Sequence, residues 1–293
     1  MTSVPSNDVR WPLRSERPPL DWSRKDIEQR MGFPGARFTR ANNVLTCVIG
    51  VLMTVLFFAS LIALPTTAFT RMFLERGPTP YAIVFFSCWS LAILFVKWQK
   101  LRLQRQSLRH HVMPDDPAYV LSSATVEPVL ARVYATVDDP RNFILFNRIV
   151  VALSNLRNLG RVTDVDEILR SQASQDEATM ETSYSLVQGF VWAIPVLGFI
   201  GTVLGLSDAI GKFSGVLGSG SDIEQISTSL KGVTSGLATA FETTLQALIA
   251  ALVIQLLITV LRKNEEEFLD AAMDYGLRYV VARLRILPAD QTV

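Results

Sequence analysis

Four stretches of the chain are apolar for long enough to cross a hydrocarbon core of about 30 Å, which takes roughly 20 residues of helix. They cover residues 44–69, 81–96, 186–210 and 233–261. The first is uncharged throughout; the second is the shortest and is closed by Lys97 and Trp98, residue types suited to a membrane interface. The first run does not read as a cleavable signal peptide, because it starts only at residue 44, is too long, and lacks a small-residue cleavage site after it. Between the second and third runs lies a polar segment with turn signals at Pro114, Pro117, Pro128 and Pro140. Within it, Phe143, Phe146, Val150, Leu153 and Leu156 recur near helical spacing and predict a helix over 142–158. A second helix starts at Thr163 or Asp164, where Asp166 and Glu167 suit the first-turn dipole. No proline or glycine follows until Gly189, so one continuous helix is expected from there into the third run. Past the fourth run, Phe268, Ala272, Tyr275 and Tyr279 mark an amphipathic helix expected to pack on the chain's own helices. The first forty residues, with Pro5, Pro12, Pro18, Pro19 and Pro34, are expected to be loosely ordered, with room for one interfacial helix.

Positive charge orients the spans. Arg10, Arg14, Arg17, Arg24, Lys25, Arg30, Arg37 and Arg40 precede the first. Lys97, Lys100, Arg102, Arg105 and Arg109 follow the second, and Arg262 and Lys263 the fourth. The two short connections hold only Arg71 and Arg76, and Lys212 and Lys231. Both termini and the long middle segment are thus expected in the cytoplasm, and the Gly/Ser-rich piece 215–221 in an outer loop. The expected fold is an all-α membrane protein, with four transmembrane helices and long helices extending into the cytoplasm. Its segments are a cytoplasmic N-terminal piece (1–43), a first transmembrane pair (44–98), a cytoplasmic helical segment (99–185), a second transmembrane pair (186–261) and a cytoplasmic C-terminal helix (262–293).

Composition agrees with a bilayer protein: 49% of the 293 residues are apolar and 19% charged, and mean hydropathy is +0.29. A net charge of +1 gives no reason to expect nucleic acid as a partner. Cys47 and Cys88 lie inside apolar runs and read as small hydrophobes. His110 and His111, adjacent and so on different faces of a helix, have no ligand-spaced companions, and no metal or other cofactor is expected. With no nucleophile elbow, phosphate loop or paired-histidine motif, no catalytic residue is assigned and no enzymatic activity is expected.

The chemistry sits on the last two spans. Gly198, Gly201, Thr202 and Gly205 share one side of the third by their i, i+3, i+4, i+7 spacing, and small residues there let another helix approach closely. Pro195 removes a backbone donor and can kink that span. On the fourth, Ser235, Thr239, Glu242 and Gln246 form one polar stripe with Thr243 beside it, while Thr244 lies about 200° around from Glu242. Thr202 and Glu242 fall at similar depth, about 12 and 14 Å below the outer surface. For a carboxylate at that depth three roles stand open: proton handling or pore lining, a hydrogen bond across a subunit interface, or an exposed place at the bilayer edge.

The two patterns Pro195-x-x-Gly198-x-x-Gly201-Thr202-Val203-x-Gly205 and Ala240-Phe241-x-Thr243-Thr244-Leu245 resemble the MotA/TolQ/ExbB proton channel family over about 80 residues. The four-span layout is similar to MotA, the motif wording to ExbB and TolQ. The resemblance implies an inner-membrane subunit of a bacterial complex driven by the proton-motive force. In that family a pentamer of this subunit encloses the transmembrane helices of a MotB/TolR/ExbD-type partner, whose single span carries an aspartate. Ion passage is coupled to mechanical work on a distant load. The residues implied to face the partner are Thr202 and Thr244. Glu242, Thr239, Thr243 and Gln246 join them as candidate pathway residues, and Gly198, Gly201, Gly205 and Pro195 as packing residues. The chain departs from ExbB where a glutamate precedes the second threonine by five positions: Thr239 stands there, and Glu242 comes three positions later. No aspartate lies deep in any span, Asp208 being near the outer end of the third, so the proton carrier must come from the partner. The alternative is a non-conducting membrane scaffold that assembles a complex through its small-residue helix faces. A secondary transporter is disfavoured, since neither an inverted repeat nor paired broken helices are found.

Overall fold

The structure, a computed structural model, describes residues 18–284 apart from 34, 37, 66, 115–118, 123–124, 160–161 and 218–222. Of the described residues 83% are helical. The helices are α1 (Trp22–Lys25), α2 (Ile27–Arg30), α3 (Asn43–Ala63), α4 (Ala68–Leu74), α5 (Thr79–Ser107), α6 (Val126–Thr136), α7 (Ile144–Leu159), α8 (Val162–Ser183), α9 (Ser185–Leu217) and α10 (Ile223–Tyr275). Among the described residues no strand forms, and only two isolated bridges pair Leu20 with Val137 and Leu121 with Leu284. Four helices are long and apolar enough to cross a membrane: Asn43–Ala63, Thr79–Ser107, Asp164–Ser214 and Ser227–Arg283.

The chain divides into two compact units, one of residues 1–40, 98–181 and 264–293 and the other of 41–97 and 182–263. In the first, Phe143, Phe146, Ile149, Leu153 and Leu156 of the α7 segment are buried with Val129 and Val133 of α6 and Val165 and Leu169 of α8. Ala272 and Tyr275 of α10 join the same core, with Tyr279 packed against it, so the C-terminal pattern seals this unit as expected. It does so as the end of α10 rather than as a separate helix; a π-helical turn, Gly276–Val280, follows directly. Arg148 of α7 pairs with Asp176 of α8 at 2.7 Å in this interior.

Of the first forty residues, expected to be loose, 1–17, 34 and 37 lie outside the described residues and the others are built into this unit. Trp22 is buried edge-on against Phe143, with ring centroids 5.2 Å apart. Asp21 and Asp26 cap α1 and α2. Glu28 and Asp26 converge on Lys100 of α5, whose ammonium donates to Glu28 Oε2 at 2.6 Å and to the carbonyls of Ala36 and Arg40. It lies 3.9 Å from Asp26 Oδ1. All three side chains are buried. Burial pushes the Asp26 carboxyl above its usual range; the Lys100 charge opposes this and the Glu28 charge reinforces it. Sequence patterning is blind to such a strap, because its anchors are single residues in a proline-rich, aperiodic stretch.

The second unit holds α3, α4, α9 and the membrane-length parts of α5 and α10. Asn42 caps α3 through Val44 N and Leu45 N, and α3 passes α5 where Gly50 meets Trp89. Span one ends at Ala63, not at residue 69, because Pro65 follows; Phe69 belongs to α4, which opens on a reciprocal Thr67–Thr70 capping box. The helix expected to run from Asp164 into the third span does so as far as Ser214, with a single turn residue at Tyr184. There Lys97 is buried rather than reaching an interface: its ammonium lies 4.2 Å from the Tyr184 ring centroid and donates to Ser183 Oγ at 2.8 Å. Gly215 to Leu217 of the proposed outer loop continue α9, and 218–221 lie outside the described residues. Cys88 is buried and Cys47 half-buried, both free. His110 and His111 lie beyond the end of α5 rather than on a helix, and His111 stacks against Tyr275 and Tyr279.

Two outcomes follow for the strap. Lys100→Leu removes the ammonium between two buried carboxylates and should cost about 3 kcal/mol in the denaturation midpoint of the detergent-solubilised protein. It should also expose residues 18–40 to limited proteolysis; a parent-like digest would show that Lys100 does not hold the strap. Because the native state keeps the Asp26 proton to higher pH than the unfolded chain, stability from this group falls as pH rises through that acidic window. Asp26→Asn, which keeps the capping acceptor, should flatten that slope in pH-dependent thermal denaturation.

Candidate functional site

α9 and α10 pack through a seam of small residues. A Cβ on Gly198 would come 2.5 Å from the Ala247 Cβ, and one on Gly201 would come 2.5 Å from Thr243 Oγ1. At Gly205 and Gly236 the contact is backbone on backbone: a Cβ on Gly205 would lie 2.7 Å from the Gly236 carbonyl oxygen, and one on Gly236 2.7 Å from that of Gly205. Side-chain-free positions at helical spacing are what permit this approach. The glycine face thus contacts a helix of its own chain. Pro195 sits inside α9, and the helix continues through it.

On this seam Thr202 and Thr244 meet, their hydroxyls hydrogen-bonded to each other. One of them donates to the other, and a carbonyl of the facing helix stands within reach of each, that of Ala240 at 3.0 Å from Thr202 Oγ1 and that of Gly198 at 3.0 Å from Thr244 Oγ1, to take the remaining proton. Both side chains stay half-buried. Every hydroxyl proton therefore has an acceptor without water, as a site at membrane depth requires. Thr243, beside them, is fully buried in the Gly201 notch and bonds back to the Thr239 carbonyl at 2.9 Å, so its role is packing.

The polar stripe of α10 faces elsewhere. Glu242 is gripped by Arg76, from the turn between α4 and α5: Nε lies 2.8 Å from Oε2 and Nη2 3.2 Å from Oε1. The same guanidinium donates through Nη1 to Thr239 Oγ1, to Ser235 Oγ and to the Ser235 carbonyl, each at 3.3 Å. Gln246 completes the stripe by donating to the Met72 carbonyl at 2.8 Å. Gly77, with φ of 79°, supplies the left-handed residue that turns the chain immediately after Arg76. The six candidate pathway residues thus separate: Thr202 and Thr244 come together, Glu242, Thr239 and Gln246 bind the α4–α5 turn, and Thr243 packs. None of the three roles left open for Glu242 includes an ion pair within one chain. Arg76 is the residue that sequence reasoning missed. The signal was there, a lone cation in a short connection at the same end of the bundle as a carboxylate.

Beyond these contacts both helices present broad apolar surfaces. Trp192, Phe199, Val203 and Ile210 of α9 and Phe241, Leu245, Leu252 and Val260 of α10 are exposed, Trp192 by 79% and Phe241 by 69%. Patches of this size belong in lipid or against other protein.

Residues 144–273 match the MotA/TolQ/ExbB proton channel family. That stretch begins with α7 and ends inside α10, so it includes the seam. The match and the four apolar helices point to a multi-pass membrane protein whose residues 144–273 are similar to a family of channel and transport-coupling proteins. No curated protein and no solved structure matches the chain.

The seam gives a graded expectation. Gly205→Ala, which drives a methyl into backbone, should lower the denaturation midpoint by the equivalent of about 1–3 kcal/mol. Gly189→Ala, with open space around it, should be neutral or stabilising. Equal effects of the two in a thermal-shift assay would mean that α9 and α10 are not closely packed at Gly205.

Proposed function

We propose that this chain, which carries a MotA/TolQ/ExbB proton channel family domain over residues 144–273, is the channel subunit of an ion-driven motor in the bacterial inner membrane. Several copies, five by the family's pattern, form a collar around the transmembrane helices of a MotB/TolR/ExbD-type partner. The partner's membrane aspartate carries the proton, and its passage is coupled to mechanical work. Both termini and the segment between the second and third spans lie in the cytoplasm, as the lysine and arginine distribution supports.

The observation that carries this reading is the Thr202–Thr244 hydroxyl pair on the α9–α10 seam. Hydroxyls donate and accept, rotate freely, and bring no charge into lipid. In this reading they hydrogen-bond the partner's carboxyl or its water in whichever protonation state it arrives. The exposed apolar faces of α9 and α10 supply surface for neighbouring copies and for lipid. The scaffold alternative drew on small-residue faces free for assembly; Gly198, Gly201 and Gly205 are instead occupied by α10 of the same chain.

Thr→Val keeps the volume and removes only the hydroxyl. Thr202→Val and Thr244→Val, co-expressed with the single-span partner, should assemble normally while proton flux falls about tenfold, the scale of one hydrogen bond to a charged group. Flux in vesicles is read with a pH-sensitive dye, and assembly by native mass spectrometry. Parent-like flux in both variants would remove the pair from the pathway, and a monodisperse monomer of the parent would remove the collar.

A further inference from the structure

We infer that Arg76, which lies outside the two channel helices, is a positioning residue: it sets the rotation of α10 about its own axis and thereby the meeting of Thr202 with Thr244. The inference deepens the reading above, since the hydroxyl pair is the site that it positions.

α10 is held on two faces. One, made of Gly236, Ala240, Thr243, Thr244 and Ala247, meets α9; the other, made of Ser235, Thr239, Glu242 and Gln246, meets the α4–α5 turn. At about 100° per residue, the centres of these faces lie roughly 110° apart on the helix. The two contacts differ in kind. The seam is neutral: Thr243 in the Gly201 notch and the bonds of the Thr202 and Thr244 hydroxyls give it register, and the glycines and alanines around them add dispersion that resists rotation weakly. The other contact is directional and charged. A guanidinium that grips both oxygens of one carboxylate fixes the plane as well as the distance. Its remaining donor reaches Thr239 and Ser235, one and two turns along the same stripe. Gln246 adds a fourth side chain of α10, one turn the other way, held by the Met72 carbonyl. The stripe therefore pins about three turns of α10 to a turn whose own course is fixed by Gly77 and by the capped helix α4.

Without Arg76, Glu242 loses both of the donors described for it in a site mostly shielded from water, and the helix gains by rotating that carboxylate outward. A rotation of about 20° carries a hydroxyl some 5 Å from the axis through about 2 Å, enough to break a hydrogen bond. Thr244 then leaves Thr202. Arg76 acts on the pathway only through this geometry and touches neither hydroxyl.

Cross-linking reads the geometry without relying on conduction. In the full chain with Cys47→Ala and Cys88→Ala, the pair Thr202→Cys and Thr244→Cys should form a disulfide under mild oxidant, since groups that meet by their hydroxyls are within bridging range. Adding Arg76→Gln should slow that cross-link about fivefold or more, the equivalent of about 1 kcal/mol. The exchange Arg76→Glu with Glu242→Arg should restore it. Rates are scored on the fraction that elutes as folded protein; if Arg76→Gln yields none, Arg76→Lys, which keeps the charge but loses the fork, is scored in its place. A cross-link as fast in the single variant as in the parent, or one not recovered by the exchange, overturns the inference. Proton flux is measured on the same Arg76 variants with the native threonines in place. Slowed cross-linking, with flux in Thr202→Val and Thr244→Val like the parent's, would uphold the positioning role and sink the pathway assignment instead.

Discussion

Gly205 on α9 and Gly236 on α10 leave no space for a side chain between two backbones, and the features of the seam follow from that approach. Only because the helices lie this close can a hydroxyl on one reach a carbonyl on the other, in both directions, as Thr202 and Thr244 do. The same approach lets the seam dispense with charge. Residues of α9 and α10 turned away from it are free to be large and apolar, which Trp192, Phe199, Phe241 and Val260 are. A leucine at Gly205 or Gly236 would force the two backbones, and with them the hydroxyl pair, apart.

One charge in each unit is handled in the same way: borne by a long helix, it is met by a short segment brought up from elsewhere in the chain. Lys100 of α5 is enclosed by the α2 strap through Glu28 and Asp26. Glu242 of α10 is enclosed by the α4–α5 turn through Arg76. The short segments are themselves held by caps, Asp26 at α2 and the Thr67–Thr70 box at α4. Each pair exchanges desolvation of a charge for order in a connection that would otherwise have little to fix it.

Elements with a strong period were legible in the sequence, while residues that act singly were not. Spans and the α7 and C-terminal patterns were readable because burial or lipid selects apolar side chains over many turns. Their ends were less so. Span one stops at Ala63 because one proline outweighs the apolar residues beyond it, whereas the helix from Asp164 runs on to Ser214 with only a one-residue turn at Tyr184. The small-residue face of α9 was visible, but a spacing names a face and not its occupant, and the occupant is α10. Likewise the stripe Ser235, Thr239, Glu242, Gln246 was correctly grouped on one face. Its partner Arg76 is distant in sequence by more than 150 residues, and no local pattern encodes that pairing.

The separation of Glu242 from the hydroxyl pair also constrains mechanism. A carboxylate that ferries protons must exchange its partners during each cycle, with an oxygen open to the incoming ion. Both oxygens of Glu242 are held by one guanidinium, whose own donors are shared along α10. Releasing Glu242 in each cycle would also disturb the Arg76 contacts with Thr239 and Ser235, so the proposed reading gives this residue an anchoring role. No other carboxylate of the chain lies within the apolar part of a span, Asp208 being near one end and salt-bridged to Lys212. On the proposed reading, the titrating group therefore comes from the partner rather than from this chain. On the same reading α9 and α10 contribute a neutral pair of hydroxyls, and the Arg76–Glu242 pair, which touches neither of them, holds α10 from the side.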